Sequence, residues 1–202
     1  IIAGAHQPNG GTMLFDGKPA VLTNPRQATE MGISVIYQET SLYPELTVAE
    51  NIYIGRYPRR RFGSVDWPTM YDDADKIFDT LEVEADVRRK VSRLTVGNRQ
   101  RVEIAKALSQ DAKVLIMDEP TAALTAHDVE TLFRIVRRLR EQGVGIIYIS
   151  HRLEEVFELA DRVTVLRDGK FVGTMDVANA TNETLISMMV GRNLDNLFPK
   201  SD

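Results

Sequence analysis

The sequence predicts an α/β fold: a parallel sheet at the core, a helical insert in the middle of the chain, and antiparallel edge strands near its end. Three observations predict it. First, 113-KVLIMDEPTAAL-124 runs four apolar residues, Val114 to Met117, directly into Asp118, Glu119 and Pro120. A short unbroken apolar run reads as a strand buried on both faces, as in a parallel sheet, and Pro120 stops it because proline cannot donate to the ladder. Second, 33-ISVIY-37 and 145-GIIYIS-150 read as further strands, and residues 40–110 between the first two strands carry helical patterns. Third, 162-RVTVL-166 and 170-KFVGT-174 are joined at Asp168-Gly169, which is hairpin spacing and adds an antiparallel edge.

The elements follow in order. Residues 12–15, TMLF, lead to the turn signal Asp16-Gly17, and a short strand near Ala20 to Leu22 completes a small hairpin. Asn24 caps a short helix with Pro25 at its first position, and Gly32 ends it. Strand 33–37 leaves Gln38 at its end. In the insert, Thr47 with Glu50 three residues on forms a capping box. After 59-RRR-61, Gly63 and Trp67-Pro68, a helix over about 69–81 gathers Met70, Ala74, Ile77, Phe78 and Leu81 on one side. Asp72, Asp73, Asp75 and Asp79 line its other side, and the basic stretch 88-RRK-90 with Arg93 follows. These charged runs read as solvated faces or as partners for each other; a binding surface is the alternative.

A helix over about 98–110 leads back to the sheet with Val102, Ala105 and Leu108 inward. After the acidic strand, Thr125 and Asp128 make another cap, with Asp in the place of the usual Glu. Val129, Leu132, Phe133, Val136 and Leu139 then form a helical stripe that Gly143 ends. Strand 145–150 delivers His151, and a short helix with Leu153, Val156, Phe157 and Ala160 precedes the final strand pair. Thr181 caps a last helix ending at Gly191, and the tail LFPKSD reads as a linker or a cut site. The opening IIAG has no initiator Met and reads as the last turn of a helix, so the natural N-terminal part is expected to be missing.

Composition excludes several classes. A chain of 202 residues suits one large domain or two small ones, and 43% hydrophobic content supports a core rather than disorder. The net charge of -4 gives no overall basic footprint for nucleic acid. The absence of Cys excludes a disulfide scaffold and a thiolate metal site. No apolar run approaches the length of a membrane span.

The candidate chemistry lies at strand ends. Asp118 and Glu119 stand at the carboxyl end of a central strand, where open α/β sheets place ligands. Two carboxylates buried there without a partner are costly; a metal ion with a polyphosphate, or a pair of basic groups, removes the cost. The plainer reading is a strand end with acidic residues facing solvent. A parallel sheet also brings Gln38 and His151 to this edge. One amide, two carboxylates and one imidazole suit phosphoryl transfer to water. Asp118 can hold Mg²⁺ through its water shell, with Gln38 completing the shell. Glu119 can polarise the attacking water, and His151 can donate to the terminal phosphate oxygens. Taken alone, His151 reads equally well as a satisfied strand-end histidine. A second constellation, 94-LTVGNRQRVEIAKAL-108, joins a hydroxyl residue, a glycine and a following helix. Backbone N–H groups at such a start favour a phosphate, although an ordinary capped helix looks the same. No G-x-x-x-x-G-K-[ST] loop occurs in these residues.

Together the motifs resemble the nucleotide-binding domain of ATP-binding cassette transporters. 114-VLIMDEP-120 looks like the Walker B strand and its catalytic glutamate, Gln38 matches the Q-loop, and His151 matches the switch histidine. 94-LTVGNRQ-100 resembles the ABC signature. The family has Ser, Gly, Gly, Gln after the leucine; here Thr95 keeps the hydroxyl while Val96 and Asn98 depart. That Val, the continuation 102-VEIAKAL-108 and 121-TAALT-125 resemble the monosaccharide-import branch, with Thr125 where most cassettes have the D-loop Asp. The start resembles the segment just after the phosphate loop, and MMVGRNLDNLFPK resembles the end of the first of two fused cassettes.

The resemblance covers nearly the whole chain and implies a P-loop NTPase-like core. Its divisions would be a partial core over 1–39, a helical signature subdomain over 40–110, the rest of the core over 111–192 and a linker over 193–202. It implies ATP and Mg²⁺ as cofactors, with Glu119, His151 and Gln38 catalytic. Asp118 and Gln38 would hold Mg²⁺, partly through water. Thr95, Gly97 and Asn98 would contact ATP across an interface with a second cassette, fused or in trans. The implied protein is a peripheral ATPase on the cytoplasmic face of a bacterial inner membrane. It would energise monosaccharide import through an integral membrane permease served by a periplasmic sugar-binding protein, with a permease helix in the groove near 39–50 and no nucleic-acid partner. Lacking the phosphate loop, these residues alone are expected to be inactive. Two other readings stand beside it: a non-catalytic binding or regulatory fragment docking through the helical insert, and a soluble ATPase of translation or DNA repair. The importer-like signature and tail argue against the last.

Overall fold

Three parallel strands carry the first part of the molecule: β3 (Ile33–Ile36), β4 (Val114–Asp118) and β5 (Gly145–Ile149), in the order β3-β4-β5. The computed structural model describes residues 1–38 and 40–191, and the chain divides into two compact units, Ile1–Ile149 and Ser150–Asp202. Residues 193–202, the expected linker, lie outside the described residues.

β4 is the central strand, and its apolar run is buried as expected: Leu115 and Met117 are fully enclosed. β5 differs. It is equally apolar, but it stands at the edge of the sheet, and Ile147 and Ile149 are 37% and 45% exposed. An apolar run therefore marks a strand here without guaranteeing burial on both faces.

Ahead of the sheet, β1 (Met13–Phe15) and β2 (Lys18–Ala20) form a hairpin. Asp16 and Gly17 both have positive φ, 49° and 73°, as a two-residue primed turn requires. That turn fixes Phe15 opposite Lys18, so the second strand begins earlier than the predicted Ala20 to Leu22. Leu22 instead leaves the hairpin and joins Ala28, Ile33 and Ile116 in a buried cluster. Helix α1 (Pro25–Glu30) is capped by Asn24, whose side chain accepts from the Gln27 N–H, and Gly32 at φ 88° ends it.

The helical insert holds α2 (Val48–Ile52), α3 (Trp67–Leu81) and α4 (Val96–Leu108). The predicted capping box of α2 is complete: the Glu50 N–H donates to Thr47 Oγ1 at 3.2 Å, and the Thr47 N–H donates to Glu50 Oε2 at 2.7 Å. α3 buries Met70, Ala74, Phe78 and Leu81. α4 buries Val102 and Ala105 as expected, and also Ile104, while Leu108 is only half-buried. The Arg56 guanidinium ties α2 to the end of α4, donating to the Ile52 carbonyl, the Ser109 carbonyl and Ser109 Oγ. The charged runs do not meet as partners at Arg88 and Lys90. Arg88 lies 4.4 Å from the centre of the Tyr71 ring, and Lys90 pairs with Glu45 at 3.0 Å.

Helix α5 (Ala126–Glu141) starts from the Thr125 cap and buries Leu132, Ile135, Val136 and Leu139. The second unit contains α6 (Leu153–Leu159), the antiparallel pair β6 (Arg162–Arg167) and β7 (Lys170–Asp176), and α7 (Asn182–Val190). The expected hairpin at Asp168-Gly169 is present, but β6 and β7 make a two-stranded sheet of their own rather than an extension of β3-β4-β5. Among its described residues Leu185 of α7 and Val165 of β6 are the buried apolar ones, and Thr181 and Gly191 bound α7 as predicted.

Candidate functional site

The parallel register sets the level of each strand end. Ile36 faces Met117, so Gln38 and Glu119 each stand two residues beyond a paired position, at the carboxyl edge of the same sheet. Asp118 is the last residue of β4 and faces Ile149, the last residue of β5. His151 follows Ile149 by two residues and is the second residue of the second unit, which begins at Ser150. Ser150 Oγ beside it donates to Glu155 at 2.8 Å and accepts from the Arg152 N–H at 3.0 Å.

Glu119 has a left-handed backbone, φ 44°, which is uncommon for a residue with a side chain. Its N–H still reaches across the sheet to the Ile149 carbonyl at 2.9 Å, so the turn away from β4 begins after that bond. Pro120 and Thr121 are buried directly behind it. Backbone of this sort is held by its surroundings, and it aims the Glu119 side chain differently from a strand residue.

Gln38 is exposed, and the chain after it is anchored by a group that local patterns do not reveal. Glu103 of α4 is 7% exposed, and it accepts from the Ser41 N–H at 2.6 Å and from Ser41 Oγ at 3.2 Å. Further on, the fully buried Asn51 accepts from the Tyr43 N–H at 2.7 Å and donates to the Tyr43 and Thr47 carbonyls. Two buried polar side chains thus fix the backbone at Ser41, Tyr43 and Thr47. Neither leaves a signal in the sequence, because Asn51 serves backbone groups and Ser41 lies 62 residues from Glu103.

The other constellation is at the start of α4. Thr95 is its cap, accepting from the Asn98 N–H at 3.3 Å, and Val96 is 47% exposed. The Asn98 side-chain oxygen accepts from Arg101 at 2.9 Å. Arg101 also pairs with Asp128 at 3.3 Å, and Asp128 takes the Thr125 hydroxyl at 2.7 Å. Gly97 lies against Asp128, whose carboxylate occupies the place of a Cβ. The starts of α4 and α5 are therefore locked together. These contacts join Thr95, Gly97 and Asn98 to the start of α5, not to Gln38, Asp118 and Glu119.

The family profile described as ABC transporter matches residues 1–122. The chain belongs to the ABC transporter family. It is 53% identical over 200 residues to a ribose import ATP-binding protein, RbsA 1, of Rubrobacter xylanophilus, covering 99% of this chain and 40% of that protein. It is 49% identical over 202 residues to a putative ribose/galactose/methyl galactoside import ATP-binding protein of Burkholderia lata, covering 100% of this chain and 38% of that one. The chain thus spans about two fifths of the length of these relatives. Among solved structures, the fold matches an ATP-binding cassette of an ABC transporter in its ADP conformation, with TM-score 0.78 and 24% identity over 95% of this chain and 81% of that one. It also matches a nucleotide-free ATP-binding cassette, with TM-score 0.74 and 23% identity over 98% and 81%. The α/β, P-loop NTPase-like fold expected from the resemblance is the fold observed.

For an ABC cassette the donor set at the sheet edge fits a magnesium nucleotide. Mg²⁺ takes one or two protein oxygens and completes its shell with water and phosphate. Asp118 could supply such a carboxylate and Gln38 such an amide from the neighbouring strand. Among the described residues no group of three or more His, Asp or Glu converges as an all-protein metal cage. No helix among them is long and apolar enough to cross a membrane.

Proposed function

We propose that this chain is part of the ATP-binding and hydrolysing subunit that energises monosaccharide import through a membrane permease. The observation that carries the reading is the register of the parallel sheet, which sets Gln38 and the Asp118–Glu119 pair at one edge. The names of its relatives, ribose and ribose/galactose import ATP-binding proteins, support the substrate class.

In this reading Asp118 and Gln38 would hold Mg²⁺ on the nucleotide, where it would supply positive charge to neutralise the phosphates. Glu119 holds and polarises the attacking water as general base, and His151 donates to the terminal phosphate oxygens. Thr95, Gly97 and Asn98 meet ATP held by a second cassette. Val96 and Gly97 bring first-turn backbone N–H groups, which suit phosphate oxygens. Because the Asn98 oxygen is engaged by Arg101, its amide NH₂ is the end left to face the ligand. The subunit lies on the cytoplasmic face of the membrane against an integral permease, and a periplasmic sugar-binding protein delivers the sugar.

The 202 residues carry no Lys-bearing phosphate loop. The chain by itself is therefore expected to show no turnover with Mg-ATP, and turnover abolished by Glu119→Gln would contradict this. In the full-length protein with its permease, ATP hydrolysis is expected, with loss on His151→Ala. A complex that binds permease equally with and without that change, and never hydrolyses ATP, would instead make the chain a docking module.

A further inference from the structure

A hairpin in the helical insert takes no part in the nucleotide site. Arg59 and Val65 pair as an antiparallel bridge, and the Asp66 N–H donates to the Pro58 carbonyl at 2.8 Å. The turn is closed by the Gly63 N–H donating to the Arg60 carbonyl at 2.8 Å, with Gly63 at φ 85°. Arg61 and Phe62 occupy its two corners. Phe62 is 94% exposed, an apolar ring held out by an ordered turn.

The cations around it are arranged by role. Arg59 donates to the Gly63 carbonyl at 2.8 Å and stiffens the turn. Arg60 reaches Asp66 at 3.4 Å with more than half of its side chain exposed, and Arg61 is exposed at the corner. At the base of the hairpin, Trp67 lies between Tyr57 and Tyr71, with ring centres 6.5 and 6.3 Å apart, and is itself 41% exposed. Three consecutive arginines thus lead into a projecting phenylalanine above an aromatic base, on a chain whose net charge is -4.

We propose that this hairpin is a reversible anchor for an anionic lipid surface. Phe62 enters the headgroup boundary and Arg60 and Arg61 meet the lipid phosphates. Arginine and aromatic rings are the side chains suited to that boundary. A projecting tip needs no matching cavity in a fluid interface, whereas a protein partner must supply one. The chain as a whole is negative, so attraction to an anionic surface must come from a local basic patch such as this tip. One ring and a few cations give weak, reversible attachment. The proposal goes beyond the nucleotide reading and holds whether or not the chain hydrolyses ATP.

The test is co-sedimentation of the 202-residue chain with vesicles of phosphatidylcholine alone or mixed with phosphatidylglycerol. Binding is expected only with phosphatidylglycerol, and it should weaken as salt is raised. Arg61→Gln should lower partitioning about five-fold, and Phe62→Ser should also lower it, with circular dichroism unchanged. In a Trp67→Phe background, the indole introduced by Phe62→Trp should shift its emission to the blue on adding phosphatidylglycerol vesicles. Equal binding to both vesicle types, unaltered binding by the two variants, or an unmoved emission overturns the proposal. A chain that ignores both vesicles but is retained by an immobilised glutamate-rich peptide overturns it in favour of an acidic protein partner.

Discussion

Glu103 shows how much one side chain can hold. It is a nearly buried carboxylate whose partners are the N–H and hydroxyl of Ser41, three residues beyond Gln38. Glu103→Ala leaves that N–H without an acceptor, so a loss of about 1–3 kcal/mol is expected in urea unfolding. Glu103→Gln retains an acceptor and should recover part of it; equal losses would mean that packing, not the hydrogen bond, matters. Gly97 is a second single-residue constraint. Asp128 is held by Arg101 and Thr125, so it cannot easily yield to a methyl group. Gly97→Ala should cost about 1–3 kcal/mol, relieved when combined with Asp128→Gly. A thermal melt of the two variants checks this, and a Gly97→Ala protein as stable as the parent would contradict the packing.

At the scale of elements, β5 is the exposed one. Its apolar residues Ile147 and Ile149 stand at the edge of the parallel sheet, an arrangement that invites pairing with another strand. The 202-residue chain is therefore expected to self-associate as its concentration rises in sedimentation velocity, and Ile147→Lys should reduce that association. A monomer at every concentration would count against an available edge. Elements also show what a sequence discloses. The caps at Asn24, Thr47, Thr125 and Thr181 were legible because each side chain accepts from an N–H three positions on, whereas α4 starts at Val96, two residues before the expected start near 98, with Thr95 as its cap. The acidic strand was legible because an apolar run meeting Asp-Glu-Pro has few other readings. The exposure of β5 was not, since burial depends on neighbours that the strand's own residues do not specify. The Glu103–Ser41 contact and the lock between Gly97 and Asp128 were hidden for the same reason: they join segments brought together only by the fold.

Across the molecule as a whole, the parallel sheet presents Gln38 and the Asp118–Glu119 pair at one edge, within a chain spanning about two fifths of the length of its relatives. The most direct measurement is single-turnover ATP hydrolysis by the full-length protein with its permease, comparing the parent with Glu119→Gln while nucleotide binding is followed in parallel. A general base contributes roughly 10²–10⁴-fold, so the rate should fall by at least about 100-fold with nucleotide still bound. A Glu119→Gln protein that hydrolyses ATP at the parent rate would contradict the assignment of this strand end as the centre of the chemistry.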